Sequence, residues 1–210
     1  MYADPTKIIC IGRNYAEHAR ELNNALPAEP FYFLKPPSSV IRNGQSIVLP
    51  GRAGRVDYEG ELGVVMIDRC RNLAEKEVFA HIMGFVVCND VTAREMQDTA
   101  KKVARPWAVS KGFDTFFPMS ELRMKRDVPD PASLDIETKL NGTVKQKGNT
   151  RDMIFPIQRI VSDISGIMTL ERGDVIATGT PAGISQLHAG DVIEITIEKV
   201  GKLTNSVVSD

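Results

Sequence analysis

Residues 134–142 read LDIETKLNG, and this stretch decides the class of fold. From Leu134 to Leu140, apolar residues or threonine alternate with charged ones, which is the period of a strand with one buried face. The Asn141-Gly142 pair that follows is the strongest short-range signal for a two-residue hairpin turn. Residues 192–200 alternate in the same way. We therefore expect antiparallel strands joined by tight turns.

Short apolar and β-branched runs elsewhere predict further strands, at residues 7–12, 31–34, 56–67, 85–88 and 175–177. Helical patterns are few and short, at residues 14–23, residues 72–83, after Thr92, and from Pro156. Gly84 is expected to end the second helix in a left-handed cap, and Thr92 with Glu95 to form a capping box. Gly201-Lys202 is an expected turn. Because strands outnumber helices, we predict a β-rich α+β fold and not a doubly wound parallel sheet.

Composition sets limits on partners and location. The 210 residues carry a net charge of -1, so no basic surface indicates a nucleic-acid or membrane partner. We expect one domain over residues 1–210, and a cytoplasmic protein, because the sequence contains no signal peptide or membrane-spanning pattern. Three widely spaced cysteines, Cys10, Cys70 and Cys88, form no CxxC motif, which disfavours both a disulfide framework and a thiolate zinc site.

Residues 56–65, VDYEGELGVV, contain the clearest chemical signal. In one continuous strand, Asp57, Glu59 and Glu61 share a face, where they repel one another unless a divalent cation binds them. Carboxylates select a hard cation such as Mg²⁺, Mn²⁺ or Ca²⁺. A solvated strand face explains the same pattern equally well. The three histidines are scattered along the chain, which disfavours a His-rich zinc site.

Four other features can carry chemistry, and each has an ordinary alternative. Asp90 lies at a strand-to-helix junction, a common place for functional side chains. His18 and Glu21 share a helix face and can activate water, or form a surface ion pair. Lys111 lies among apolar residues and can meet an oxyanion, or extend to solvent. The loop at residues 179–183 can present N–H groups to an anion, or simply turn.

Taken together, these segments resemble the fumarylacetoacetate hydrolase family, in particular its short single-domain members related to acylpyruvate hydrolases and oxaloacetate decarboxylases. The resemblance runs almost end to end through seven landmarks in family order. They are GRNY at 12–15 with His18 and Glu21, FLKP at 33–36, DYEGEL at 57–62, NDVTAR at 89–94 with Gln97, KGFD at 111–114, NT at 149–150 with DMIF at 152–155, and TGTPAG at 178–183.

The resemblance implies a mixed β-sheet roll or barrel of the family's C-terminal domain type, and a role for each matched residue. Glu59, Glu61 and Asp90 match the metal ligands, with Mg²⁺ or Mn²⁺ usual. His18 and Glu21 match a water-activating dyad on a segment that can order as a lid. Substrate contacts are implied for Lys111, Arg13, Gln97 and Thr180. The chain departs from the family at Ile184-Ser185, where many members have a Gly-x-Gly, and at Asn23, where Gly is frequent.

The resemblance also implies a function and a partner. A metal-dependent hydrolase would cleave a C–C bond in acylpyruvate-type 2,4-dioxo acids through a metal-bound pyruvate enolate, and would decarboxylate oxaloacetate by the same enolate. Lys111 would stabilise the oxyanion. The alternatives are an isomerase, decarboxylase or tautomerase of a 2-oxo dicarboxylic acid in aromatic-acid degradation, and a degenerate protein that only binds a metal or dicarboxylate. A homodimer is expected from the family.

Overall fold

The computed structural model describes residues 5–22 and 24–210, in which the chain forms three sheets and a few short helices. In chain order, the strands of these residues are β1 Ile8–Ile11, β2 Tyr32–Lys35, β3 Val40–Arg42, β4 Ile47–Leu49, β5 Val56–Asp57, β6 Gly60–Met66, β7 Ile82–Asn89, β8 Thr92–Ala93, β9 Phe117–Met119, β10 Arg123–Met124, β11 Asp135–Leu140, β12 Thr143–Asn149, β13 Val175–Ala177, β14 Val192–Ile197 and β15 Gly201–Ser209.

The α-helices of the same residues are short. They are α1 Ala16–Glu21, α2 Arg94–Lys102, α3 Ala108–Lys111 and α4 Ile157–Ile167. Single 3₁₀ turns lie at Pro37–Ser39, Lys125–Asp127 and Thr150–Asp152, and a longer 3₁₀ helix spans Glu75–His81. No helix in the described part of the chain is long and apolar enough to cross a membrane.

The largest sheet has the strand order β2-β1-β13-β6-β7-β9-β3, with β10 also paired to β7. Parallel pairs (β1 with β13, β3 with β9) occur beside antiparallel ones, so the sheet is mixed. A second sheet has the order β12-β11-β14-β15-β4, and β5 pairs with β8 in a third. This curled, mixed β-sheet half-barrel with few helices confirms the predicted fold class.

Both faces of the largest sheet are covered. Alternate residues of β7 pack on opposite sides: Phe85 and Val87 belong to the main core, while Val86 and Cys88 belong to a smaller second core. Every residue of β6 and of β7 is buried. A strand buried on both faces reads as a continuous apolar run, which is the pattern seen in the sequence at residues 85–88.

The hairpin predicted from residues 134–142 is confirmed. β11 and β12 pair antiparallel, with Leu140 opposite Thr143. Asn141 and Gly142, the two residues between them, both have positive φ, at 51° and 77°. Positive φ at both central positions is the type I′ geometry, which matches the twist of the flanking strands. A local signal was sufficient here because the turn and both strands lie within sixteen residues of one another.

Two predictions around Gly84 were wrong. Residues 72–83 do not form one α-helix; the chain forms the 3₁₀ helix Glu75–His81 and then enters β7 at Ile82. Gly84 lies inside that strand and caps nothing. A Cβ at Gly84 would lie 2.1 Å from the Arg123 carbonyl oxygen, so glycine is needed because β10 approaches closely.

Three other boundaries differ from the sequence prediction. The expected strand at residues 56–67 is broken between Asp57 and Gly60, so β5 and β6 belong to different sheets. Helix α2 is present, but it begins at Arg94 without a side-chain cap, and the Thr92 hydroxyl donates to the Asp90 carbonyl. Gly201 begins β15 and is not in the turn, which falls at residues 198–200. The expected end of the first helix at Asn23 lies outside the described residues.

Gly84→Ala is expected to lower the free energy of unfolding by about 2 to 3 kcal/mol, because backbone atoms of β10 must move to admit the new methyl group. Urea unfolding would measure the change. Gly51→Ala is the matched control, since a Cβ at Gly51 meets nothing within 4 Å. Equal stability of the two variants would contradict the close approach of β10 to β7.

Candidate metal centre and substrate cleft

Three predicted carboxylate ligands converge at one end of the β6–β7 pair. Glu59 precedes β6, Glu61 is its second residue, and Asp90 follows β7. Gly60 is registered opposite Asn89, and the Asp90 N–H donates to the Glu59 carbonyl at 2.9 Å. One carboxylate oxygen of each acid lies within 4.8 Å of the other two, and all three side chains are buried. The structure therefore brings together the set that the resemblance implied.

Two of the three acids are paired with cations. Lys111 Nζ bridges Glu59 Oε2 at 2.9 Å and Asp90 Oδ2 at 2.6 Å. Lys35 Nζ donates to the second Asp90 oxygen at 2.6 Å, and Arg94 donates to the second Glu59 oxygen. Burial raises the pKa of Glu59, but Lys111 and Arg94 outweigh burial, so this pKa lies well below its usual value.

Glu61 differs from the other two acids. Within the part of the chain that the structure describes, it has no ion pair and accepts one hydrogen bond, from the Gly179 N–H at 2.7 Å. Burial raises its pKa well above the usual value, and the neighbouring charges of Asp90 and Glu59 raise it further. A buried carboxylate beside two others is unfavourable unless a positive charge is added.

This arrangement fits a divalent cation. The donors are carboxylate oxygens only, which suit hard cations such as Mg²⁺ and Mn²⁺. The two lysines and the arginine contact Glu59 and Asp90, whereas the Glu61 carboxylate has no cation partner among the described residues and is free to bind one. Glu59, Glu61 and Asp90 are therefore the residues that would hold the ion. The choice between Mg²⁺ and Mn²⁺ does not follow from this donor set, because both accept it.

Asp57 corrects one expectation. The strand pattern placed it on the same face as Glu59 and Glu61, with no Lys or Arg between the three acids. In the structure its carboxylate accepts from Arg55 Nε and from Arg94 Nε, each at 2.8 Å, and it does not belong to the three-acid cluster. The break between β5 and β6 removes the shared face. Asp57 instead orients Arg94, whose terminal nitrogens contact Glu59 and Gln97.

The predicted dyad forms on α1. His18 Nδ1 lies 3.2 Å from Glu21 Oε2, and the His18 side chain is 7% exposed. The other Glu21 oxygen accepts from the Gly183 N–H at 3.0 Å. His18 lines the same cleft as the three acids, whereas Glu21 lies behind it. The pair is therefore tied to the loop at residues 179–183 and is more than a surface ion pair.

That loop presents its N–H groups to anions, as one reading of the sequence suggested, but the anions are carboxylates of the protein itself. Gly179 N–H binds Glu61, and Gly183 N–H binds Glu21. Gly183 has φ of 104°, and a Cβ there would lie 2.1 Å from the Lys145 carbonyl oxygen. The loop thus joins the acid cluster to the dyad.

Sequence reasoning missed three residues that build the site. Gln146 donates to the Thr180 hydroxyl and the Pro181 carbonyl, and accepts from the Gly60 N–H. Asn14 bridges two segments through the Phe155 and Thr178 carbonyls. Lys35 neutralises Asp90. Lys35 and Asn14 lie in landmark motifs, so a buried polar residue inside a motif was the available signal; Gln146 had none.

The cleft over the acids is small, with a cavity volume of about 30 Å³, and it opens to solvent. Arg13, Gln97, Lys111 and Thr180, which the resemblance assigned to substrate, all line it. The Thr180 hydroxyl is occupied, since it donates to the Gly60 carbonyl and accepts from Gln146. Contact of these four residues with substrate stays a prediction.

Two further cations, Arg13 and Lys101, line the cleft and are partly exposed. Arg13 Nε is buried without a hydrogen-bond partner among the described residues, and its guanidinium lies over the Phe31 ring. Lys101 Nζ lies 5.5 Å from the centre of the Trp107 ring and 3.3 Å from Asp98. Burial lowers the pKa of both cations. An anion bound in the cleft would meet the positive charge of these two side chains.

Comparison with known proteins gives the family to which this chain belongs. The family model for the fumarylacetoacetate (FAA) hydrolase C-terminal domain matches residues 7–208, and the chain belongs to the fumarylacetoacetate hydrolase family. The chain is 46% identical over 193 residues to the mitochondrial oxaloacetate tautomerase FAHD1 of Arabidopsis thaliana, which covers 92% of this chain and 86% of that protein.

Two solved structures share the fold over almost the whole chain. One is fumarylpyruvate hydrolase from Pseudomonas aeruginosa in complex with Mn²⁺ and pyruvate, with 29% identity, a TM-score of 0.94, and coverage of 98% of this chain and 91% of that chain. The other is 2-hydroxyhepta-2,4-diene-1,7-dioate isomerase from Mycobacterium marinum, with 38% identity, a TM-score of 0.88, and coverage of 99% and 76%. Relatives with different reactions therefore share this framework.

Glu61→Gln is expected to weaken Mg²⁺ binding roughly 100-fold or more while stabilising the metal-free protein. The folded state raises the pKa of Glu61, so its protonated form contributes stability that is full below the ordinary carboxyl pKa. That stability is lost as pH rises through the raised pKa. Thermal unfolding in EDTA should show this loss in the wild type and not in the variant.

Glu121→Gln, which changes an exposed acid, is the control and should behave as the wild type. Calorimetric titration with Mg²⁺ measures the affinity directly. Unchanged Mg²⁺ affinity in Glu61→Gln would remove Glu61 from the ligand set.

Proposed function

We propose that this chain is a divalent-cation-dependent enzyme that hydrolyses a C–C bond in acylpyruvate-type 2,4-dioxo acids, with keto–enol interconversion of oxaloacetate as a second activity of the same site. The observation that carries the proposal is that His18, bound to Glu21 behind it, lines the same cleft as three buried carboxylates. A protein that only binds a metal or a dicarboxylate has no need of a water-activating pair.

The inner end of the cleft is suited to a pyruvoyl group. Glu59, Glu61 and Asp90 would hold a divalent ion, which would supply positive charge to stabilise the negative charge of a bound 2-oxo acid. Lys111 Nζ lies against two of the three acids, so its positive charge is fixed beside the bound 2-oxo acid. We propose that this ammonium stabilises the oxyanion that develops on the substrate.

The hydrolytic step belongs to His18 and Glu21. Glu21 holds the imidazole by its Nδ1 atom, which leaves Nε2 to take a proton from water. The hydroxide equivalent adds to the distal carbonyl carbon, and the tetrahedral oxyanion collapses. The bond between that carbon and the pyruvoyl CH₂ breaks, so its electron pair becomes the enolate of pyruvate and the acyl group leaves as a carboxylic acid. The proton held by His18 returns to the enolate carbon.

Keto–enol interconversion needs only the proton-transfer half of this sequence. A 2-oxo acid with an acidic C3 proton, such as oxaloacetate, loses that proton to form its own C2–C3 enolate, without attack by water and without cleavage of a C–C bond. The 46% identity to a protein named oxaloacetate tautomerase supports this second activity. The hydrolase from Pseudomonas aeruginosa supports the first and was solved with Mn²⁺ and pyruvate. Decarboxylation of oxaloacetate would release CO₂ and form the enolate of pyruvate, as the hydrolytic reaction does.

Residues 1–210 are proposed to act as one domain, located in the cytoplasm and assembled as a homodimer. Support for a dimer comes from exposed apolar side chains beside the cleft. Val103 and Val109 are 54% and 60% exposed and line one groove, and Leu34 is 47% exposed in a neighbouring one.

The decisive experiment is a substrate panel with the wild type and His18→Ala. Fumarylpyruvate, acetylpyruvate and oxaloacetate are each assayed by ultraviolet absorbance with Mg²⁺, with Mn²⁺ and in EDTA. His18→Ala should lower C–C hydrolysis by roughly 100-fold or more, because general-base catalysis is lost. Binding of pyruvate should change much less, since the carboxylate cluster is intact.

His188→Ala is the matched control, because that histidine is exposed and bound to Asp191 outside the cleft. Equal loss of hydrolysis and of pyruvate binding in His18→Ala would mean that His18 holds substrate and does not activate water. Absence of turnover of all three compounds by the wild type with either metal would refute the proposed function.

Lys101→Met should reduce kcat/KM for dianionic fumarylpyruvate by roughly 10- to 100-fold and leave monoanionic acetylpyruvate nearly unchanged. The reason is that Lys101 lines the cleft but is paired with Asp98 and not with the three acids, so we propose that it meets the distal carboxylate of the substrate. Lys102→Met is the control, since Lys102 is exposed. The same loss for both substrates would show that Lys101 stabilises the cleft and does not recognise the distal carboxylate.

A further inference from the structure

We propose that Asp68, Cys70 and His81 form a second metal site that takes Zn²⁺, at the opposite end of the β6–β7 pair from the three-acid cluster. Asp68 and Cys70 follow the end of β6, and His81 immediately precedes β7. Glu61 lies near the start of β6, seven residues before Asp68, which separates the two sites by about 20 Å. The second site is thus distinct from the proposed catalytic centre.

The three side chains already converge. One ligand atom of each residue lies within 4.8 Å of the other two, and Asp68 Oδ1 lies 2.8 Å from His81 Nδ1. Around a tetrahedral zinc ion, with bonds of about 2.0 Å to nitrogen and oxygen and about 2.3 Å to sulfur, ligand atoms lie roughly 3.3 to 3.8 Å apart. The observed spacing requires shifts of about 1 Å, which surface side chains make readily.

The donor set selects the metal. One thiolate sulfur, one imidazole nitrogen and one carboxylate oxygen match borderline cations such as Zn²⁺ and its spectroscopic substitute Co²⁺, and not Mg²⁺. The oxygen-only cluster at the other end of the strands has the reverse preference. The two sites should therefore bind different metals from one mixture, and a fourth position at the second site is left for water.

The backbone holds the ligands in place. Cys70 and Leu170 exchange two backbone hydrogen bonds of 3.0 Å, and the Ile67 N–H donates to the His81 carbonyl at 2.9 Å. The Cys70 residue is 7% exposed, whereas the His81 and Asp68 side chains are 28% and 54% exposed. An ion can enter from solvent along the two exposed ligands and meet a sulfur atom whose position is set.

The charge around Cys70 favours a cation. Burial, followed by the carboxylates of Asp68, Asp174 and Glu171, raises the pKa of its thiol to about 11, and Lys7 opposes this shift. Lys7 is bound to Asp174, and the exposed Arg69 lies 3.5 Å from Glu171. A zinc ion would replace the thiol proton, so binding at neutral pH releases about one proton per ion. The ion would also close residues 68–81 into a loop.

Spacing within the sequence gave no sign of this site. The three cysteines form no CxxC, and the single thiol at residue 70 lies eleven residues from the nearest histidine. Only the antiparallel return of the chain through the 3₁₀ helix Glu75–His81 brings His81 back to Cys70. The expectation that a thiolate zinc site is absent rested on motif spacing, which does not detect ligands joined by a strand pair.

Titration of the full chain with Co²⁺, in saturating Mg²⁺, tests the site. A thiolate–cobalt charge-transfer band in the near ultraviolet should rise to one equivalent, because oxygen ligands at the first site produce no such band. Cys70→Ser should abolish the band. His81→Gln should lower Zn²⁺ affinity roughly 100-fold in calorimetric titration without unfolding, since its side chain is partly exposed. Asp68→Asn should weaken it as well.

His188→Gln is the matched control and should retain both the band and the wild-type affinity for Zn²⁺. The proposal is overturned if no thiolate band forms, if the band survives in Cys70→Ser, or if His81→Gln binds Zn²⁺ as tightly as the wild type. In that case Asp68 and His81 form an ordinary surface ion pair. None of these readouts uses enzymatic activity, so they stand apart from the proposed function.

Discussion

The register of β6 against β7 is the constraint on which the rest of the structure depends. Asp90 is 29 residues from Glu61, and the pairing of Gly60 with Asn89 reduces that distance to side-chain reach. The Asn89 side chain adds a hydrogen bond to the Glu59 N–H at 2.9 Å. A register shift of one residue would move every side chain of the shifted strand to the opposite face of the sheet and separate the acids. Burial of both strands on both faces makes such a slip costly.

Once three acids are buried together, the surrounding elements must supply positive charge. β2 contributes Lys35, α2 contributes Arg94, and α3 contributes Lys111, so three separate elements direct cations at Glu59 and Asp90. This need for positive charge explains why α2 and α3, whose buried residues are polar, pack beside the acid cluster. Glu61 is left to the N–H of the loop after β13 and to a bound ion. Removing any one cation would leave a buried negative charge uncompensated.

Sequence reasoning succeeded where the cause was local and failed where it was distant. The type I′ hairpin needs only Asn141 and Gly142, and the dyad needs only a helical spacing of three. The cation partners of Asp90 and the hydrogen bonds of Gln146 come from chain segments tens of residues away, and no sequence periodicity encodes them. The helix predicted before Gly84 was wrong for a related reason: the contact that demands glycine comes from Arg123, on another strand.

The two halves of the proposed chemistry depend on parts of the fold that are stabilised to different degrees. Enolate formation depends on the carboxylates at the end of a fully buried strand pair. Attack by water depends on α1, a six-residue helix without a side-chain cap, too short to be stable alone. Glu21 is tied to Gly183 and Tyr15 is bridged to Met153, and these contacts hold the helix over the cleft. Small changes in these contacts would shift His18, and so alter water attack and proton transfer, without disturbing the carboxylate cluster. This offers a physical reason why relatives named as tautomerase, isomerase and hydrolase share one framework.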